Sequence, residues 1–168
     1  RNLIDRSEYW DLATCRIPAL TLRHWGRHVW HSDGWPPPTI RKGDGVVLGG
    51  YPENRRTTDS GPTPGQVHAD FVSFVSRAEN WSDEHMSFCF DSSNWYWPQG
   101  SGLPPHPNLS GMSGGPCFHM IHEEHRIELA GFVYGAQGNY EVLRVRQASL
   151  ISADGSIAPT PAGASSVR

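Results

Sequence analysis

Leu109-Ser110-Gly111-Met112-Ser113-Gly114-Gly115-Pro116-Cys117-Phe118 is the stretch on which the fold turns. Residues 110–115 hold three glycines and two serines, and the stretch then runs into proline and an apolar pair. Glycine accepts backbone angles that a Cβ resists. A serine between such glycines can sit on a tight, exposed bend with neighbouring N–H groups aimed one way. An acyl-transfer nucleophile needs that: a reachable hydroxyl and amide donors for the oxyanion. The plainer alternative is a Gly-Ser loop that only turns the chain.

Outward from this bend the chain reads as strands. Residues 116–121 form a short strand, and His122-Glu123-Glu124-His125 a charged hairpin tip. Residues 127–134 alternate, with Ile127, Leu129, Gly131 and Val133 against Glu128, Ala130, Phe132 and Tyr134. A turn at 136–139, a strand at 140–145 and a final turn or short helix at 147–152 follow. Residues 153–168 are rich in Ala, Ser, Pro and Gly, the composition of a disordered tail.

Upstream, residues 91–108 carry Trp95-Tyr96-Trp97-Pro98 and read as a long loop. Residues 86–90 read as a strand, and Asn80-Trp81-Ser82-Asp83 as a turn. Residues 67–76 read as one strand with Val67, Ala69, Phe71, Ser73 and Val75 on one side. Residues 53–64 are a polar surface loop, and 43–52 a strand entered from a turn. Pro36-Pro37-Pro38 can continue neither a helix nor a central strand, so residues 21–42 read as a linker.

Composition supports this. With 18 Gly and 14 Pro among 168 residues, an all-β protein with many turns is favoured. Fourteen basic against 17 acidic residues give a net charge of −3, which argues against a nucleic-acid partner. No apolar run approaches the roughly 20 residues of a membrane-spanning helix, and no membrane partner is expected. The three cysteines, Cys15, Cys89 and Cys117, are odd in number and match no zinc spacing. They are either three thiols of a reducing compartment, which leans cytoplasmic, or one bridge and a spare. Cys117 reads as a small buried apolar residue.

Gly111-Met112-Ser113-Gly114-Gly115-Pro116 resembles the G-x-S-G-G-P nucleophile motif of the chymotrypsin/trypsin-like serine peptidases, in its bacterial style. The resemblance implies that Ser113 is the nucleophile and that the N–H groups of Gly111 and Ser113 form the oxyanion hole. Asp11-Leu12-Ala13 resembles the D-[IL]-A stretch of the triad aspartate, with Asp5 and Asp33 as rivals. Residues 43–52 resemble the first strand of the second barrel, which in bacterial members often ends Gly-Tyr-Pro. Gly131-Phe132-Val133-Tyr134-Gly135 resembles the strand lining the primary specificity pocket, so Phe132, Val133, Tyr134 and Gly135 are expected to bind substrate. Six residues before the nucleophile, where trypsin is acidic, stands Pro107; cleavage after basic residues is not supported. Phe132, Tyr134 and Trp95–Trp97 suggest an aromatic rim suited to apolar or bulky side chains. Met112 replaces the aspartate that pairs with a freshly cut N-terminus in vertebrate members, so that mode of activation is not expected.

The implied fold is a chymotrypsin-like double β-barrel. Residues 1–20 would be a remnant of the first barrel, 21–42 the inter-barrel linker, 43–152 a nearly complete second barrel and 153–168 the tail. A serine hydroxyl needs a histidine base held by a carboxylate. The family order puts that histidine before Asp11, and residues 1–10 contain none. The chain also begins with Arg, so the expectation is a fragment whose base lies in missing upstream sequence and which is inactive alone. His24, His28, His31, His68, His85 and His106 would all break the family order. The expected function is a serine endopeptidase that hydrolyses peptide or protein substrates through a Ser113 acyl-enzyme, without cofactor or metal. Of the sets His24/His28/His31 and His119/His122/His125, the second alternates faces on a strand and hairpin rather than converging, and neither has a cysteine partner at a zinc spacing. Two other readings share the motif: an inactive protease-like peptide-binding module, and a non-peptidase serine hydrolase, whose G-x-S-x-G elbow lies between a strand and a helix.

Overall fold

The computed structural model describes residues 2–24, 34–37, 39–53, 56–58, 67–69, 71–82, 84–89, 109–137 and 142–162. The chain divides into two compact units, one of Arg1–Pro38 with Ala148–Arg168, the other of Thr39–Gln147.

In the first unit, β1 (Leu3–Ser7) and β2 (Leu12–Cys15) form an antiparallel hairpin, followed by the short helix α1 (Ala19–His24). Trp10, in the hairpin turn, is buried, and its indole N–H needs an acceptor there. It donates to the Ala158 carbonyl at 2.8 Å. Thr14 Oγ1 donates to Gly155 O at 2.5 Å, and Asp5 Oδ2 accepts from the Ile157 amide at 2.7 Å. Trp35 Nε1 donates to Ile151 O, and Ile151 bridges Ile157. The expected tail therefore differs: residues 153–162 are held against the hairpin by these bonds. Their small, polar composition is that of a close-packed turn rather than of disorder. Gly155, at φ 90°, leaves no room for a Cβ beside Ile4.

The second unit carries β3 (Gly45–Gly50), β4 (Arg56–Thr58), β5 (Val67–Ala69), β6 (Val72–Arg77), β7 (Asn80–Trp81), β8 (His85–Cys89), β9 (Pro116–Ile121), β10 (Arg126–Gln137) and β11 (Val142–Gln147). Seven of these form one antiparallel sheet in the order β6-β3-β9-β10-β11-β8-β7, and β4 pairs with β5 separately. The protein is thus mostly β-sheet, and the large sheet curls into a half-barrel. Its two sides approach closely enough for Ser76 Oγ on β6 to donate to Cys89 O on β8 at 2.8 Å.

Alternation decides what this sheet buries. Val46 and Leu48, Val72 and Phe74, Met86 and Phe88, and Leu143 and Val145 all face the core, with Cys117 and Val133. Each large side chain so buried stabilises the fold by roughly 1.5–3 kcal/mol. Gln147 is a buried polar side chain whose Nε2 donates to Ser82 O.

Two strands differ from their sequence reading. Over 67–76 the expected single strand is two, β5 and β6, and β6 buries Val72 and Phe74 while Phe71 and Val75 are exposed. Apolar residues stand on both parities there, so the pattern does not fix the phase; pairing with β3 does. β10 is longer than expected, and its register shifts between Leu129 and Gly131 and again between Val133 and Gly135. The first shift puts Ala130 and Gly131 inside together, breaking strict alternation, as an extra bulge residue does.

Candidate functional site

The serine-bearing bend runs from Leu109 to Gly115 and leads directly into β9. Leu109 and Met112 are buried, whereas Ser110, Gly111, Ser113 and Gly114 are exposed. Met112, only 1% exposed, is the bend's anchor in the core; a Cβ on Gly50 would lie 3.2 Å from its methyl group. This inward side chain throws the next residue, Ser113, outward.

Each glycine has a distinct reason. Gly111 and Gly114 sit at φ 87° and 84°, a region that a Cβ disfavours. A Cβ on Gly111 would also meet the Glu53 amide and Arg56 Nη2, both at 3.0 Å. Gly115 has an ordinary φ but lies so close to β3 that a Cβ would strike the Gly49 carbonyl oxygen.

A dense set of hydrogen bonds holds the bend. The Met112 amide donates to Leu109 O at 3.2 Å, and the Gly115 amide to Met112 O at 2.9 Å. The Gly114 amide donates to Val133 O at 2.7 Å, and the Val133 amide to Gly115 O at 2.8 Å, so the bend extends the β9–β10 ladder. Ser110 O accepts from the Glu53 amide at 2.6 Å, and Gly111 O from Arg56 Nη2 at 2.9 Å. Among the described residues, the amides of Gly111 and Ser113 donate to nothing.

In a trans peptide the carbonyl and the following N–H point in opposite directions. Ser110 O is held by Glu53, which aims the Gly111 N–H away from Glu53. Met112 O is held by Gly115, which aims the Ser113 N–H away from Gly115. Two amide donors are thus fixed in direction and left open beside an exposed hydroxyl. Ser113 Oγ makes one long contact, 3.5 Å to Tyr134 O, against about 2.5–3.0 Å for a strong hydroxyl bond. Among the described residues no imidazole is hydrogen-bonded to it.

The other sequence-predicted site residues fall as follows. Val133 is 2% exposed and belongs to the core, so only its backbone reaches the bend. Phe132 and Tyr134 are half-buried, and the Arg146 guanidinium lies 4.1 Å over the Tyr134 ring. Gly135 is half-buried, with open space where a Cβ would stand. Pro107, Asp33, His28, His31, His106 and Trp95–Trp97 lie outside the described residues. Asp11 is exposed in the β1–β2 turn at φ 52° and belongs to the first unit, whereas Ser113 belongs to the second. Its rival Asp5 is engaged by the Ile157 and Arg6 amides.

His119 Nε2 stands 3.5 Å from Asp44 Oδ2, while His122 and His125 are exposed. Among the described residues no three His, Cys, Asp or Glu side chains gather as metal ligands. All three cysteines are free thiols, and burial pushes the Cys117 thiol far above its ordinary range, which makes it a poor nucleophile.

Glu53 and Arg56 are functional candidates that the sequence does not reveal. They stand in Tyr51-Pro52-Glu53-Asn54-Arg55-Arg56, a polar stretch with nothing local to tie it to a bend 55 residues on. No family model matches the chain, and no curated protein or solved structure matches it.

Proposed function

We propose that this chain is a serine endopeptidase domain of chymotrypsin-like fold that cleaves peptide bonds through an acyl-enzyme on Ser113. One observation carries the reading: around an exposed serine, the amides of Met112, Gly114 and Gly115 are engaged while those of Gly111 and Ser113 are open. Open, pre-aimed donors beside a free hydroxyl are suited to a tetrahedral oxyanion.

In this mechanism Ser113 Oγ attacks the scissile carbonyl carbon and its proton passes to a histidine outside the described residues. The carbonyl oxygen gains the negative charge and rests on the Gly111 and Ser113 amides. The C–N bond breaks as the imidazolium gives its proton to the leaving amine. Water then attacks the ester, and Ser113 Oγ recovers a proton from the same imidazole. The assignment of Asp11 as the carboxylate behind that imidazole rests on the resemblance of Asp11-Leu12-Ala13 to the D-[IL]-A stretch and on chain order.

A strand, β9, follows the bend where a nucleophile elbow would have a helix, which speaks against the esterase-type alternative. The peptide-binding alternative shares the bend and differs in lacking a base. Fluorophosphonate labelling of the protein expressed from its complete reading frame separates them. Labelling that is abolished in Ser113→Ala is expected; no labelling of the wild type, or labelling unchanged in Ser113→Ala, removes the hydrolase reading.

A further inference from the structure

We infer that Arg56 is a positioning residue that keeps the oxyanion cradle formed. The inference rests on the reading of Ser113 as nucleophile. The bend contains three successive peptide units, 110–111, 111–112 and 112–113, and each has its carbonyl tied. The outer two are tied by backbone amides, of Glu53 and Gly115. The middle one is tied by a side chain, Arg56, whose Nη2 donates to both Gly111 O and Tyr51 O at 2.9 Å. One NH₂ group with two protons thus fastens the bend to the chain leaving β3.

The middle unit has one local tie, its Met112 amide on Leu109 O at 3.2 Å, and Arg56 supplies its tie to another part of the chain. Gly111 has no Cβ and lies in the left-handed region, so rotation of the planes on either side meets little steric resistance. The 111–112 plane joins the two planes that carry the open amides, so a change in ψ of Gly111 alters the angle between the Gly111 and Ser113 N–H groups. In the vertebrate members of the family that the bend resembles, the residue before the serine is an aspartate that pairs with a freshly cut N-terminus. Here that position is Met112, buried and uncharged. The tie comes instead from outside the bend, from a guanidinium on β4.

Arg56 is exposed, and it touches the bend through the Gly111 carbonyl, whereas the open amides belong to the two neighbouring peptide units. It therefore acts through Gly111 and not on substrate. Its loss is expected to lower kcat and leave KM nearly unchanged. A contact to substrate would raise KM, and a purely structural tie would lower thermal stability without a kinetic split.

The test uses the protein expressed from its complete reading frame, with a peptide ester substrate and a fluorophosphonate probe. Arg56→Ala is expected to lower kcat and the labelling rate about 10- to 100-fold, less than the roughly 100- to 1,000-fold cost of removing an oxyanion donor outright, with KM within about twofold. Millimolar guanidinium is expected to restore part of the lost rate. If Arg56→Ala does not fold, Arg56→Lys decides: its ammonium lacks the planar fork, and a kcat lowered at unchanged KM is expected. Wild-type kcat in whichever variant folds, or a KM that rises as far as kcat falls, overturns the inference and leaves Ser113 in place. A wild type that is not labelled at all overturns both.

Discussion

β9 ends in two tight reversals of the chain, and they are built on opposite plans. At its start, the bend 109–115 is fastened by partners far away in sequence, Glu53, Arg56 and Val133, as well as by its own Met112 and Gly115 amides. At its end, the 3-10 turn His122–Glu124 is fastened by its own neighbours. The His125 amide donates to His122 O at 3.3 Å, and Arg126 pairs with Glu124 and Glu128 at 2.6 and 2.8 Å. The first uses glycine wherever φ is positive, while the second places His125 at φ 49° and tolerates the strain. A turn held locally can accept an unfavourable residue. A turn held at long range, with its carbonyls committed, needs a fitted residue at nearly every step.

Gly115→Ala breaks this contrast hardest. Its methyl group would strike the Gly49 carbonyl, which belongs to a paired strand and cannot swing aside. A loss of about 3 kcal/mol or more in urea unfolding is expected. Unfolding free energies within about 1 kcal/mol of the wild type would mean that β3 and the bend are only loosely joined. At the other end, His125→Gly is expected to stabilise by about 0.5–1 kcal/mol, since glycine carries no Cβ penalty at positive φ; a thermal melt with no upward shift would contradict this. The smallest effect is expected from Arg126→Ala. Its ion pairs are part-exposed, so a cost of about 0.5 kcal/mol that fades in high salt is expected, and a salt-independent loss would point to packing instead.

The same contrast explains what is legible in the sequence. The hairpin tip is legible because its determinants are adjacent. β3, β8 and β11 are legible because Val46/Leu48, Met86/Phe88 and Leu143/Val145 repeat with the period of a strand. The glycine-serine pattern of the bend is legible, since left-handed angles leave a trace in residue type. Its fastening is not, because Glu53 contributes only a backbone amide, which any residue but proline carries, and Arg56 sits in an unpatterned polar stretch. The order of residues 153–162 is hidden for a similar reason: their carbonyls at Gly155 and Ala158 accept from Thr14 and Trp10, and carbonyls leave no signature. The phase of β6 is lost where apolar residues fall on both parities, and a bulge in β10 is invisible until its partner strand is known.

Arg56 clasps the bend from the flank, with a group already present in the folded chain. The shape of the bend around Ser113 is therefore tied to the pairing of β4 and to the end of β3, so loosening either strand would loosen the bend with it.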